Sequence, residues 1–226
     1  MIDVHSHILP QMDDGSASVE ETLTLLSMLK SQGAEKVVAT PHFYAHKDNL
    51  EPFLQRRGEA FAQIPQREDL PQVLLGAEVA YFNGISQSEA MGKLQLGDTG
   101  LLLIEMPFTP WTAYMVRDVC DIFVQRGLVP VIAHVNRYSS QLRQFGQTLL
   151  SQGVLFQCNA DAFSSFWGRR WALKQIAQGN IHFLGSDCHN LTTRPPLLAT
   201  ARQWIEKKLG QETLAGIARM EKEYFG

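Results

Sequence analysis

The sequence predicts an α/β fold, a distorted barrel of seven parallel strands that alternate with helices, with a metal site at the C-terminal ends of the strands. Short apolar runs alternate with longer amphipathic stretches along the whole chain. Histidines, aspartates and glutamates recur directly after the apolar runs. The alternative is an open doubly wound sheet. Its dinucleotide-binding version is disfavoured because no glycine-rich phosphate loop follows the first run.

Seven apolar or β-branched runs are predicted to be strands. They are Ile2–Val4, Lys36–Thr40, Val73–Ala77, Leu101–Ile104, Val129–Ala133, Val154–Gln157 and Ile181–Leu184. Most of them are continuously apolar, which is typical of parallel strands that are covered on both faces.

Helical periodicity separates these runs. Ser18 and Glu21 have the spacing of a capping box, leucines then recur at helical spacing, and Gly33 ends the first helix. The later predicted helices are Thr112–Gly127, Ser139–Gly153, Phe163–Gly179, Pro195–Lys208 and Gln211–Tyr224. Because no repeat, low-complexity tract or linker interrupts the pattern, we expect one domain over residues 1–226.

Composition excludes several classes of protein. The 226 residues are 45% hydrophobic and 19% charged, as in an ordinary soluble globular protein. A net charge of −3 argues against a nucleic-acid partner. The apolar runs are too short to cross a bilayer and no secretory signal is visible, so we expect no membrane insertion. Cys120, Cys158 and Cys188 do not form a disulfide framework, which predicts a reducing, cytoplasmic location.

Nine candidate metal ligands lie at the ends of six predicted strands. They are His5, His7, Asp14, His42, Glu78, Glu105, His134, Asp187 and His189. Alone, each has an ordinary explanation, because single histidines are often hydrogen-bonded in cores and buried glutamates are often ion-paired. In a barrel, however, the C-terminal ends of the strands converge at one mouth. The joint position therefore predicts a metal cluster.

The ligand types narrow the choice of metal. Five imidazoles and four carboxylates without a thiolate suit Mn²⁺, Fe²⁺ or Zn²⁺ rather than a structural cysteine-rich zinc site. Nine ligands exceed what one ion needs, so we expect two or three ions. Three divalent ions would outweigh the four carboxylates in charge, which favours a phosphate substrate.

Further side chains are expected at the same mouth. Arg137 follows His134 by three residues, and its guanidinium could hold two phosphate oxygens. Phe108, Trp111 and Tyr44 follow strand ends and could line an aryl-binding cleft. A surface arginine and core aromatics are the alternative interpretations.

One cysteine needs separate consideration. Cys188 and Arg194 have the Cys-x5-Arg spacing of cysteine-dependent tyrosine phosphatases. No glycine lies between them, and the neighbours of Cys188 are two predicted ligands. We therefore expect that Cys188 is not a nucleophile.

The motifs resemble the polymerase-and-histidinol-phosphatase superfamily, and within it the bacterial manganese-dependent tyrosine-protein phosphatases of capsule and exopolysaccharide operons. The segments that carry the resemblance are Ile2–Pro10, Asp13–Gly15, Thr40–His42, Glu78, Glu105, Ala133–His134 and Gly185–Asn190. The similarity spans essentially the whole chain. It implies a distorted seven-stranded βα barrel and metal-dependent hydrolysis of phosphotyrosine on the tail of a bacterial tyrosine kinase.

The resemblance also implies three metal positions, filled by Mn²⁺ with Fe or Zn as alternatives. His5, His7, Glu78 and Asp187 would hold one ion, with Glu78 shared by a second. Glu105 and His134 would complete the second position, and Asp14, His42 and His189 would form the third. Arg137 would contact the phosphate as the catalytic arginine.

There is one departure from the pattern. Val135 and Asn136 replace the proline and glutamate that are common in this family, which puts the position of Arg137 in doubt. The rival functions are a histidinol-phosphate or other small phosphomonoester phosphatase, a phosphodiester-cleaving relative and an inactive scaffold. The sequence leaves the metal in vivo, the kinase partner and the oligomeric state open.

Overall fold

The computed structural model describes residues 1–226 and contains nine strands and seven α-helices. The strands are β1 (Ile2–Ser6), β2 (Lys36–Ala39), β3 (His42–Phe43), β4 (Gln72–Leu75), β5 (Glu78–Ala80), β6 (Leu101–Glu105), β7 (Val129–Ile132), β8 (Leu155–Asn159) and β9 (Phe183–Gly185). The helices are α1 (Val19–Ser31), α2 (Leu50–Ala62), α3 (Ala113–Arg126), α4 (Ser139–Ser151), α5 (Phe166–Ala177), α6 (Leu198–Leu209) and α7 (Gln211–Phe225).

Each of the seven predicted runs contains a strand, but the structure has nine strands because two predicted strands continue past a break. Thr40 and Pro41 separate β2 from β3, and Gly76 and Ala77 separate β4 from β5. Proline has no backbone N–H to donate to a ladder, so pairing is interrupted at Pro41. After the breaks the chain joins a second sheet.

All strand pairs are parallel. One sheet has the order β1-β2-β4 and the other has the order β3-β5-β6-β7-β8-β9. The two sheets meet again beyond β9, where Asp187 N–H donates to the carbonyl of His5 at 2.8 Å and His7 N–H donates to that of Cys188 at 2.9 Å. The result is an α/β fold with curled parallel strands, whose C-terminal ends lie on one face.

Two apolar clusters hold this arrangement. On β6, Leu102 and Ile104 belong to the larger cluster, which also contains the buried faces of the helices. Leu101 and Leu103 point to the opposite face and join a cluster of ten residues, which includes Phe225 of α7. Because side chains alternate along a strand, Glu105 points to the same face as Leu101 and Leu103, and it lies at the C-terminal end of β6.

Helix prediction missed one helix and placed the start of two others three residues early, since α6 begins at Leu198 rather than at Pro195. Helix α2 was not predicted, because Pro52 and Gly58 interrupt its apolar pattern. The predicted helix Phe163–Gly179 begins later, because a 3₁₀ turn occupies Ala160–Ser164 and the Ser165 side chain caps α5 by accepting from Gly168 N–H. None of the helices combines the length and the apolar character needed to span a membrane.

Candidate metal centre

The structure brings all nine predicted ligands together at the C-terminal ends of the strands. Each has a side-chain N or O atom within 3.5 Å of another member of the set. His5 lies in β1 and His7 follows it, His42 and Glu78 begin the short strands β3 and β5 that continue β2 and β4 after a break, and β6 ends with Glu105. Parallel strands with short C-terminal loops bring residues that are far apart in sequence to one place.

Glu78 lies at the centre of this cluster. Its Oε2 is 3.4 Å from His5 Nε2, 3.3 Å from His7 Nε2 and 3.0 Å from His42 Nδ1, and its Oε1 is 2.9 Å from His134 Nε2. The carboxyl group is buried. A single carboxylate with two oxygens facing different imidazoles has the arrangement required to bridge two cations.

Four atoms form a compact group around one point. His5 Nε2 and His7 Nε2 are 3.2 Å apart, and Asp187 Oδ1 lies 3.5 Å from each of them. Glu78 Oε2 adds separations of 3.4 Å to His5 Nε2 and 3.3 Å to His7 Nε2, so both nitrogens lie 3.2–3.5 Å from each other and from the two carboxylate oxygens. Four ligands that bind one ion tetrahedrally at about 2.1 Å are about 3.4 Å apart, so this group fits a divalent cation.

The outer nitrogens of the two histidines have partners that fix their tautomers. His7 Nδ1 lies 2.7 Å from Asp13 Oδ2, and His5 Nδ1 lies 3.2 Å from Gln157 Oε1. Both contacts use an N–H on the outer nitrogen, so the inner Nε2 atoms, which are 3.2 Å apart, are the positions that take either a proton or a metal ion. A metal ion bound between them would replace the protons there.

Two further groups flank this one. Asp14 Oδ1 lies 3.5 Å from both His42 Nε2 and His189 Nε2. On the other side, His134 Nε2 is 3.5 Å from Glu105 Oε1. His42 Nδ1 lies 3.0 Å from Glu78 Oε2, so the two ring nitrogens of His42 face different carboxylates.

Backbone conformation also sets this site apart. His134 and Asp187, with φ of 32° and 50°, are two of the three non-glycine residues with positive φ. Such strain persists where surrounding contacts enforce it. Gly15 is required for a different reason, because a Cβ there would lie 2.1 Å from the carbonyl oxygen of His7. The loop after β1 therefore closes tightly over His7.

The electrostatics of the cluster keep its carboxylates charged. Burial by itself would raise the pKa of Glu78, but the charge of His5 and hydrogen bonds from His134 and His42 hold this pKa well below its usual range. Burial likewise opposes charging of His7, yet hydrogen bonds with Asp13 and Glu78 raise its pKa to about 10. The cluster thus favours positive charge on its inner side, whether from protons or from metal ions.

Two arginines converge on the same carboxylate. Arg137 Nη2 and Arg194 Nη2 each lie 2.7 Å from Asp187 Oδ2, and Arg194 Nη1 is also 2.7 Å from His189 Nε2. Arg137 therefore reaches the cluster although Val135 and Asn136 depart from the family pattern. The sequence prediction did not include Arg194 in the site. The available signal was its position in the loop that carries Asp187 and His189.

The aromatic residues divide into exposed and buried ones. Phe108 is 61% exposed and its ring stacks at 6.1 Å on that of His134, while Tyr44 stacks on His42 at 5.3 Å. Trp111 is only 4% exposed, and its Nε1 donates to the carbonyl of Pro107. The prediction that Trp111 lines the cleft is therefore not supported by its position, because it packs beneath the loop against Tyr138.

Cys188 is fully buried, and burial raises the pKa of its thiol far above the ordinary range. A buried thiol with a raised pKa is a poor nucleophile. The geometry accordingly disfavours a cysteine mechanism.

Comparison with known proteins identifies the relatives of this chain. The profile of the family described as "Capsular polysaccharide synthesis, CpsB/CapC" matches residues 1–223. The chain belongs to the CpsB/CapC family. CpsB/CapC relatives include the tyrosine-protein phosphatase YwqE of Bacillus subtilis, 32% identical over 94% of this chain and 86% of YwqE. The tyrosine-protein phosphatase CpsB of Streptococcus pneumoniae is 30% identical over 100% of this chain and 95% of its own length.

A solved CpsB/CapC structure agrees with the fold. A chain from the crystal structures of YwqE and CpsB, described as unique metal-dependent tyrosine phosphatases, superposes with a TM-score of 0.78 at 27% identity. The superposition covers 99% of this chain and 95% of the other. Membership in the CpsB/CapC family thus rests on both sequence and structure.

Proposed function

We propose that this chain is a metal-dependent protein-tyrosine phosphatase that acts on the phosphotyrosine-bearing tail of a bacterial tyrosine kinase controlling capsule or exopolysaccharide synthesis. The observation that carries the proposal is the cluster of nine ligands with two arginines at its edge. Its full set of ligands argues against an inactive scaffold. The names of the CpsB and YwqE relatives support tyrosine as the phosphorylated residue.

We further propose three Mn²⁺ positions, with Fe or Zn as alternatives. His5, His7, Glu78 and Asp187 would hold one ion, Glu78, Glu105 and His134 a second, and Asp14, His42 and His189 the third. His7 also lies close enough to the third group to be counted with it. Divalent cations bound there would supply Lewis-acid chemistry, polarising the phosphoryl group and lowering the pKa of water.

The chain's own residues would bind and orient the phosphate. We propose that Arg137 and Arg194 release Asp187 in part and donate to the equatorial oxygens of the phosphoryl group, where negative charge increases in the transition state. Their planar guanidinium groups suit two-point contacts with phosphate. A tyrosyl leaving group has a pKa near about 10, so it needs less proton donation than an alkoxide does.

Two aromatic residues would hold the substrate ring. The exposed Phe108 stacks on His134, and the half-buried Tyr44 stacks on His42. We propose that they contact the phenyl ring of phosphotyrosine, and that Trp111 acts indirectly by supporting the loop that carries Phe108. Each well-placed aromatic pair contributes about 0.5–1.5 kcal/mol beyond burial of area.

We also propose that residues 1–226 form a single domain, a distorted seven-stranded barrel of the polymerase-and-histidinol-phosphatase type. In this interpretation β2 with β3, and β4 with β5, each count as one interrupted strand. A cytoplasmic location is proposed because all three cysteines are free.

The test compares substrates on metal-replete protein. Phosphotyrosine peptide should have a higher kcat/KM than phosphoserine peptide, histidinol phosphate or a short oligonucleotide. Exhaustive chelation should abolish turnover, Mn²⁺ should restore it and Cys188→Ser should retain most of it. Faster hydrolysis of histidinol phosphate would favour the small-substrate alternative, and activity that survives chelation but not Cys188→Ser would overturn the metal mechanism.

A further inference from the structure

Helices α5 and α6 carry an unusual share of positive charge. α5 contains Arg169, Arg170 and Lys174 and no acidic residue, and α6 adds three cations and one acid, Glu206. The two helices therefore carry +5 in a chain whose net charge is −3, so the remainder carries −8. A protein with this asymmetry attracts anions to one side.

The same helices expose aromatic side chains. At the start of α5, Phe166 is 59% exposed and Trp167 is 75% exposed, and their rings are in edge contact at 5.1 Å. Farther along the surface, Trp204 of α6 has the guanidinium of Arg169 at 4.0 Å from its ring centroid. Large exposed aromatics next to arginines are typical of binding surfaces.

These residues line a groove between the two helices. Its volume is about 360 Å³, and its walls are formed by Phe166, Arg169, Arg170, Leu173, Trp204 and Lys208. Half of the lining residues are cationic and half are apolar. Such a lining complements a ligand that carries several carboxylates or phosphates as well as apolar side chains.

The groove begins at the edge of the metal centre. The 3₁₀ turn that precedes α5 contains Asp161, whose Oδ2 lies 4.0 Å from Arg137 Nη2. Five residues later Phe166 opens the groove. α5 is about 18 Å long, which an extended peptide covers in five or six residues. A chain with its phosphotyrosine at the metal centre can therefore place flanking residues along α5.

We propose that the groove between α5 and α6 binds an acidic segment of the phosphotyrosyl protein, within about ten residues of the phosphotyrosine. This inference rests on the proposed function. The groove brings three cations and three apolar side chains into one lining, whereas an interfacial membrane helix carries its cations and its apolar side chains on opposite faces. An acidic peptide fits this arrangement better than a lipid surface does.

The experiment uses full-length, metal-replete protein with pairs of phosphotyrosine peptides. A short neutral peptide is compared with peptides that carry four glutamates five to eight residues before or after the phosphotyrosine. For wild type, at least one acidic peptide should have a KM about tenfold lower than the neutral one at low salt, and 0.5 M NaCl should remove this difference.

Charge reversal locates the effect. Arg170→Glu and Lys208→Glu should each raise KM for the favoured acidic peptide several-fold, with kcat unchanged and with the neutral peptide unaffected. Lys93→Glu is the matched control, because Lys93 is an exposed lysine outside both helices and its ion pair with Glu51 lies at the surface. Phe166→Ala, at an aromatic residue that lines the groove, should also raise KM for the acidic peptide without a change of charge.

Several results would overturn the inference. One is an equal KM for acidic and neutral peptides, and another is an equal loss on both in the groove variants. Binding of the protein to phosphatidylserine vesicles through Arg170 and Lys208, without a preference for acidic peptides, would assign the groove to lipid instead. In a separate measurement, fluorescence anisotropy reports the binding of an unphosphorylated glutamate peptide. Because this binding does not require the phosphatase reaction, it distinguishes failure of the groove from failure of the phosphatase assignment.

Discussion

Both ends of the strands contain buried carboxyl groups, yet their pKa values shift in opposite directions. At the C-terminal end, Glu78 and Asp187 have pKa values well below the usual range, because imidazole and guanidinium charges outweigh the effect of burial. At the N-terminal end, Glu221 of α7 accepts from Ile2 N–H at 2.9 Å, and burial raises its pKa to about 7. Asp3 behaves similarly, with a pKa raised to about 6.

The difference shows that burial alone does not identify a functional carboxylate. Glu78 and Glu221 are both almost inaccessible. Glu78 faces four imidazole nitrogens within 3.4 Å, whereas Glu221 has one backbone donor and its Oε1 has no partner. The imidazoles that keep a buried carboxylate charged can also bind a metal cation, and the guanidinium groups beside them can bind phosphate. A group that is merely desolvated contributes to packing and to the pH dependence of stability.

The largest expected effect comes from the two isosteric substitutions Glu78→Gln and Glu221→Gln. Glu78→Gln should lower kcat/KM by roughly a thousandfold or more and reduce the bound metal, because a bridging carboxylate is lost. Glu221→Gln is the control and should keep both. Kinetics with metal analysis by mass spectrometry checks the pair. Full metal content in the Glu78 variant would show that Glu78 is not a metal ligand. The contrast between the two ends of the strands would then fail.

Arg137 and Arg194, which both contact Asp187, separate substrate binding from metal binding at the C-terminal end of the strands. Arg137→Ala and Arg194→Ala should each retain their metals but lose about 10²–10³-fold in kcat, since each removes a preorganised donor to the phosphoryl group. Metal content and single-turnover rates are the measurements. If either variant loses its metal instead, that arginine serves the ligand cluster and does not act on substrate.

A smaller effect is expected for the residue behind His7. Asp13→Asn removes the charge that orients His7, whose Nδ1 is 2.7 Å from Asp13 Oδ2, so metal affinity should fall by about 10–100-fold. Activity at saturating Mn²⁺ should be largely restored. Titration of the apoprotein with Mn²⁺ measures the affinity, and an unchanged affinity would show that Asp13 only shapes the loop.

The smallest effect concerns the N-terminal end of the strands. The pKa of Glu221 is higher in the folded chain than the ordinary value of 4.5, so its stabilising contribution is complete below pH 4.5 and is lost as pH rises through about 7. Wild type should therefore lose stability relative to Glu221→Gln between pH 5 and pH 8, by about 2 kcal/mol. Met1, Asp3 and Arg202 surround this position in both proteins, so the comparison isolates the contribution of residue 221. Urea unfolding at both pH values checks this, and a constant difference would contradict it.

The fold and the ligand cluster could be predicted from sequence for identifiable reasons. Parallel strands buried on both faces form continuous apolar runs, and all seven runs contain strands. Residues that follow such strands meet at one mouth, so His5, Glu78 and Asp187 could be placed together without coordinates. Helix α2 escaped prediction because Pro52 and Gly58 obscure its periodicity and no side chain caps its N-terminus.

The sequence by itself determined the positions of the seven strand runs, the helices other than α2 and the identity of the nine candidate ligands, because these depend on local pattern and on position relative to strand ends. Only the tertiary structure decided which aromatics are accessible, since Phe108 and Trp111 lie three residues apart in one loop but differ in exposure from 61% to 4%. It also placed Arg194 beside Arg137 and brought Arg169, Arg170 and Lys208 to one groove between α5 and α6. These are contacts between distant segments, and their geometry depends on how the whole chain packs.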